Sequence, residues 1–204
     1  MTNFWDGRYS ESDYIYGTEP NVYFKSKLDM LPPGSLLLPA EGEGRNAVYA
    51  ASNGWQVKAF DSSSVGRMKA LNLAESLNVK IDFEFRNDED FYSTESYDAG
   101  AFIFSHFGNV RNNKTFPKLS GYIKPGGHII FECFSINQIE FQQKHGSGGP
   151  SEIDMLFSTG DIHEIFPDFE ILDLAQRTIN LIEGKYHHGY ASVIDFFGKK
   201  KPIQ

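Results

Sequence analysis

The 204-residue sequence predicts a doubly wound α/β domain: a seven-stranded, mainly parallel sheet, helices on both faces and an antiparallel edge strand. Three observations carry this. Short apolar runs alternate with helical patterns from residue 35 onward, and that alternation implies right-handed crossovers and a parallel sheet. A glycine turn, Gly42-Glu43-Gly44, follows the first run directly. The last two apolar runs have no helical pattern between them, so they pair as a hairpin around Glu183-Gly184 and form the antiparallel edge.

The elements follow in order. Residues 35–38 make a short buried strand, and residues 45–52 a helix that Asn53-Gly54 can close. Residues 55–60 form a second strand. Asp61 and Ser62 to Ser64 offer N-caps for a helix over 65–78. There Val65, Met68, Leu71, Ala74 and Leu77 are expected on one buried face. Residues 79–85 give a third strand. Residues 97–105 give a fourth, nearly all apolar, as a strand covered on both faces should be. A helix over 115–122 places Pro117 in its first turn. Pro125-Gly126-Gly127 turns into a fifth strand at 128–134. Ser158 or Thr159 caps a short helix that stops at Pro167. Residues 169–182 and 189–197 are the closing strands.

One domain spans 1–204, with residues 1–33 as an aromatic arm or lid. Apolar residues make up 40 % and charged residues 23 %, ordinary for a globular chain, while 18 Phe and 10 Tyr point to an aromatic core. Net charge is −8, which argues against nucleic acid as a partner; the sole basic run, Lys199 to Lys201, reads as a solvated tail. Cys133 lies in an apolar run and reads as a core thiol. No signal-like stretch or membrane-length segment is present, so a cytoplasmic location is expected. His187, His188 and Glu132 are metal-ligand types, but without metal-ligand spacing no metal is expected.

The glycine turn and Asp61 form a pair. Glycines between a strand and a helix let backbone and ligand approach closely, and a carboxylate ending the next strand can accept both hydroxyls of a ribose. Gly42-x-Gly44-x-x-Ala47 also satisfies a dinucleotide pattern, so an NAD(P)-dependent oxidoreductase stands as an alternative. Glu41 and Glu43 would repel a pyrophosphate there.

The stretch 36–47 (LLLPAEGEGRNA) resembles motif I of class I S-adenosylmethionine-dependent methyltransferases, in the branch of tellurite-resistance and thiopurine enzymes. Residues 55–61 (WQVKAFD) resemble that family's second strand with its ribose-binding acid, and 123–127 (IKPGG) its turn before strand five. The arm motifs Phe4-Trp5-Asp6-x-Arg8-Tyr9 and Tyr16-Gly17-Thr18-Glu19-Pro20-Asn21 are similar too, as are Gly148-Gly149-Pro150 and Glu183-Gly184-x-x-His187-x-Gly189. The resemblance implies a Rossmann-like sheet, S-adenosylmethionine as cofactor and a small-molecule methyl acceptor. It implies cofactor contacts from Trp5, Tyr9, Tyr16, Glu41, Gly42, Gly44, Asn46, Asp61, Ser62, Asn87 or Asp88, and Ser105. His106, after strand four, is the candidate for a polar group beside the transferred methyl. The family's strand-one acid and first turn glycine are replaced by Leu38 and by Ala40-Glu41, with Pro39 between. That departure either weakens cofactor binding or shifts its work to Glu41 or Glu43, so a non-catalytic S-adenosylmethionine-binding protein is a further alternative.

Overall fold

A computed structural model describes residues 4–108 and 114–202. Its centre is a seven-stranded sheet in the order β3-β2-β1-β4-β5-β7-β6. The strands are β1 (Ser35–Pro39), β2 (Gln56–Asp61), β3 (Asp82–Phe85), β4 (Tyr97–Ile103), β5 (Ile123–Phe134), β6 (Phe169–Glu183) and β7 (His187–Lys200). β1 to β5 pair in parallel, for example Leu37 with Lys58 and Gly100 with Ile129. β7 runs against both β5 and β6. The expected antiparallel edge is thus the β6–β7 hairpin, with β6 at the rim.

Seven α-helices cover the sheet among the described residues: α1 (Phe4–Tyr9), α2 (Val22–Leu28), α3 (Arg45–Ser52), α4 (Ser64–Ser76), α5 (Thr115–Gly121), α6 (Gln138–His145) and α7 (Thr159–Ile165). Strand alternation divides the core into two layers. Leu36 and Leu38 face α2 and α3 with Ala47, Phe24 and Leu28. Leu37, between them, faces the other layer with Phe116, Leu119, Ile162 and Phe166. Phe116 packs edge-on against Phe102, Phe131 and Phe157 at 5.5–5.7 Å, so much of the phenylalanine content serves this layer. Each ring buried there stabilises the fold by about 1.5–3 kcal/mol. Cys133 is fully buried in the same layer.

Four expectations change. β5 begins at Ile123: the ladder with β4 breaks after Tyr97–Ile123 and resumes at Ala99–His128, so Pro125-Gly126-Gly127 forms a bulge inside the strand. β3 begins at Asp82 because Asn78 takes φ 54° and Val79 donates its N–H back to Ala74 O, spending 78–79 on the end of α4. In α4 the buried face is Gly66, Lys69, Ala70, Leu73 and Ala74, while Met68 and Leu77 are exposed. Small residues win there because the glycine turn presses on this helix. Helices α1, α2 and α6 have no strong periodicity to announce them; α2 is set by Asn21, whose side chain accepts the Phe24 N–H.

Candidate functional site

The strand order reverses between β1 and β4, and a cleft opens at the carboxyl ends of the strands beside that reversal, where ligands bind in such sheets. Its floor is the turn after β1. Three of its five residues lie in the left-handed region: Ala40 (φ 51°), Gly42 (φ 59°) and Gly44 (φ 87°). A Cβ at Gly42 would stand 2.6 Å from the Tyr9 hydroxyl oxygen, and one at Gly44 would stand 2.5 Å from Ala70 Cβ. Gly42 therefore faces the cleft under Tyr9. Gly44 is turned into α4 and serves packing instead of the cavity wall.

The two glutamates of the turn have separate tasks. Glu41 lines the cleft and accepts the Ala47 N–H at 2.7 Å, so its carboxyl fills the first turn of α3, whose N-cap Gly44 has no side chain to do so. Burial pushes Glu41 up to about 7 against the bonds from Ala47 and Asn46. Glu43 is almost fully buried and turned toward the arm: it accepts the Ile15 N–H and the Lys69 ammonium, both at 2.8 Å. Its carboxylate is committed to holding the arm on α4. Asn46 borders the cleft and accepts the Asn21 N–H at 2.9 Å.

Asp61 ends β2 in the same wall. Its Oδ2 accepts the Gly42 N–H at 2.9 Å and its Oδ1 the Ser63 N–H at 2.8 Å. Burial raises it to about 6 despite those two bonds. Each carboxylate oxygen retains a second lone-pair direction, so two acceptor sites remain. Ser62 and Asp88 also line the cleft, and Asp88 is fixed by the Thr115 hydroxyl at 2.8 Å. Asn87 is exposed and Ser105 is buried against Pro39 O; neither lines the cleft.

The arm closes the roof. Trp5 and Tyr9 stack with ring centroids 5.6 Å apart, Tyr16 meets Tyr9 edge-on at 6.5 Å, and His187 lies 4.5 Å from Tyr16. α1 is pinned by Asp6, which accepts the Ser63 hydroxyl at 2.6 Å and so adds an acid to the start of α4.

At the end of β4, Phe104 takes φ 49°, a costly conformation for a bulky residue, and lines the cleft with His106 and His187. Burial, then neighbouring His187, push His106 down to about 4, so its ring is neutral near pH 7. Its Nδ1 is buried and has no hydrogen-bond partner among the described residues. His187 is held lower than usual by burial, against the pull of Glu183. Glu183 accepts from His187 Nδ1 at 3.2 Å and from Arg45 at 2.9 Å; against its burial, these two hold it at about 2. Because ionised Glu183 can only accept, Nδ1 carries the proton and Nε2 is the basic nitrogen.

Asn21 joins this group. Its amide donates to Glu183 at 3.0 Å and to Glu132 at 2.5 Å. Burial, with Asp195 and Glu183 nearby, pushes the Glu132 carboxyl well above the usual carboxylate range. Arg45, Asn21 and Glu183 were not singled out as site residues. Their signal was the motifs GRNA, YGTEPN and EG themselves, which the fold brings to one point.

A second cleft, of about 590 Å³, opens on the far side of the roof, within the usual range for small-molecule sites. Trp5, Tyr16, His106 and His187 line both clefts. Among the described residues no group of three or more His, Cys, Asp and Glu is placed to hold a metal ion, and no helix is long and apolar enough to cross a membrane.

No protein-family model matches this chain, and no curated protein matches it by sequence. Solved structures do. TehB from Haemophilus influenzae superposes with TM-score 0.72 at 16% identity, over 89% of this chain and 63% of TehB, so this chain spans less than two thirds of that protein. A protein solved for the conversion of a disulfide bond into a thioacetal group during echinomycin biosynthesis gives TM-score 0.76 at 16% identity, over 97% and 91% of the two chains. The N-methyltransferase NodS from Bradyrhizobium japonicum WM9, in complex with S-adenosyl-L-homocysteine, gives 0.67 at 10% identity, over 97% of each. At these identities the likeness establishes the fold, the Rossmann-like sheet of S-adenosylmethionine-dependent methyltransferases.

Proposed function

We propose that this chain binds S-adenosylmethionine in the first cleft and methylates a small molecule held in the second. The observation that carries the reading is the junction: two clefts at the carboxyl edge of a methyltransferase-type sheet share the wall made by Trp5, Tyr16, His106 and His187.

The residues present suit the cofactor. Asp61 keeps acceptor sites for ribose hydroxyls, and Asp88 stands beside it for a base amino group. Glu41 offers a carboxyl to the amino-acid end. The faces of Trp5, Tyr9 and Tyr16 favour a sulfonium cation electrostatically. Gly42 lets a ligand lie close to the turn. Gly44 and Ser105 lie behind this wall, and Asn87, exposed outside it, takes no part. When bound, S-adenosylmethionine supplies an already activated methyl group on its sulfonium sulfur.

What remains for the protein is orientation and exclusion of water. The aromatic arm does the second. The neutral rings of His106 and His187 stand at the junction, where either can take a proton from an acceptor that must lose one. A dinucleotide fits less well: the first turn of α3, the usual seat of a pyrophosphate, already holds the Glu41 carboxyl.

Calorimetric titration with S-adenosylhomocysteine, with NAD and NADP run in parallel, tests the reading. Micromolar binding of the homocysteine compound alone supports it. Binding of a nicotinamide cofactor in its place would establish an oxidoreductase. Binding of S-adenosylhomocysteine with no turnover across a broad acceptor panel would mark a non-catalytic binding protein.

A further inference from the structure

The second cleft carries a cation, Arg8, that has no acid partner among the described residues. Arg8 lines it from α1, and its guanidinium carbon lies 4.1 Å from the ring centre of Tyr186, 5.0 Å from that of Phe4 and 5.9 Å from that of Trp5. Among the described residues its one hydrogen bond goes from a terminal N–H to the Tyr16 hydroxyl, at 3.1 Å. A guanidinium has five N–H donors in a rigid plane, so most of this fork is uncommitted while three rings fix its position.

The acids nearby are spoken for. Asp6 holds Ser63 and the start of α4, Glu11 pairs with Lys185, and Glu183 holds Arg45 and His187. No carboxylate pairs with Arg8 among the described residues. Glu152, on the cleft wall, is exposed. A planar, half-buried fork held by aromatic rings, without a counter-ion among the described residues, is a recognition element for a carboxylate or another oxyanion.

We propose that the methyl acceptor is a small organic anion, its acid group seated on Arg8 and its accepting atom at the junction. This rests on the methyltransferase reading. Tyr16 sets the scale: it bonds Arg8 and also lines the junction, so anchor and reaction point are bridged by one side chain. The remaining wall, with Phe4, Trp5, Tyr186 and Met155, suits the apolar body of such a molecule.

The test uses the full chain saturated with S-adenosylhomocysteine. A panel of four- to nine-carbon monocarboxylic acids, aliphatic and aromatic, is titrated calorimetrically, each acid against its own primary amide. The expected result is that at least one acid binds ten-fold or more tighter than its amide. Arg8→Gln removes the preference, Arg8→Lys keeps part of it, and S-adenosylhomocysteine affinity stays within about two-fold. The proposal is overturned if the amides match the acids, if no acid binds at millimolar concentration, or if the preference survives in Arg8→Gln. The wild-type comparison stands even where Arg8→Gln fails to fold. Failure of S-adenosylhomocysteine to bind counts against the methyltransferase reading instead; the same acid–amide titration without it then judges the Arg8 anion site alone.

Discussion

At the β1–β2 end of the site, polar side chains are tied to nearby backbone: Glu41 to Ala47, and Asp61 to Gly42 and Ser63. At the far cleft, among the described residues, Arg8 carries a single hydrogen bond and His106 Nδ1 has none. The first end is held by its own hydrogen bonds, as the proposed cofactor site requires. On the proposed reading, the second leaves Arg8 and His106 for the methyl acceptor, while Lys185 beside them is paired with Glu11. Between the two lies the buried group Arg45–Glu183–Asn21, which joins the turn, the hairpin and the arm.

If that group is what holds the ends together, damage to it should be the costliest change. Glu183→Gln leaves Arg45 buried without its counter-charge, and the expected loss of stability is about 3–5 kcal/mol. Denaturant unfolding checks this. A loss below about 1 kcal/mol would show that the two ends are held independently.

Changes within one end should stay there. His106→Phe is expected to lower turnover about 10²-fold or more if the acceptor must lose a proton to this ring, with a far smaller change in cofactor affinity, although the ring borders both clefts. A large loss of S-adenosylhomocysteine binding in this variant would erase the distinction between the clefts.

The smallest effect is expected in the turn. Ala40 sits at φ 51°, where alanine is disfavoured, so Ala40→Gly should change stability by no more than about 1 kcal/mol, with relief of strain offset by unfolded-state entropy. Clear destabilisation would mean that the methyl group of Ala40 is needed for packing.

Much of this was legible in the sequence, for local reasons. The strand runs, the turn and the acid at position 61 announce themselves within a few residues. The buried face of α4 did not, because it is chosen by what presses on it: Gly66 and Ala70 yield room to the turn and Lys69 reaches Glu43. The pairing of Asn21 with Glu183, 162 positions apart, is beyond any local pattern. The bulge at 125–127 looks like a turn in the sequence, since proline and glycine mark both.

The most direct test of a cofactor seated on Asp61 is the pH dependence of S-adenosylhomocysteine affinity, in the wild type and in Asp61→Asn. The ionised carboxylate is the form that accepts two hydroxyls, and burial holds its pKa at about 6. As pH falls through 6 the free protein takes up a proton that the ligand must displace. Affinity should then weaken by up to about ten-fold per pH unit. At pH 8, Asp61→Asn should cost about 1–3 kcal/mol of binding and remove the limb near 6, leaving only the one that Glu41 contributes near 7. Wild-type affinity that is flat from pH 8 to 5, and equal in Asp61→Asn, would contradict the placement.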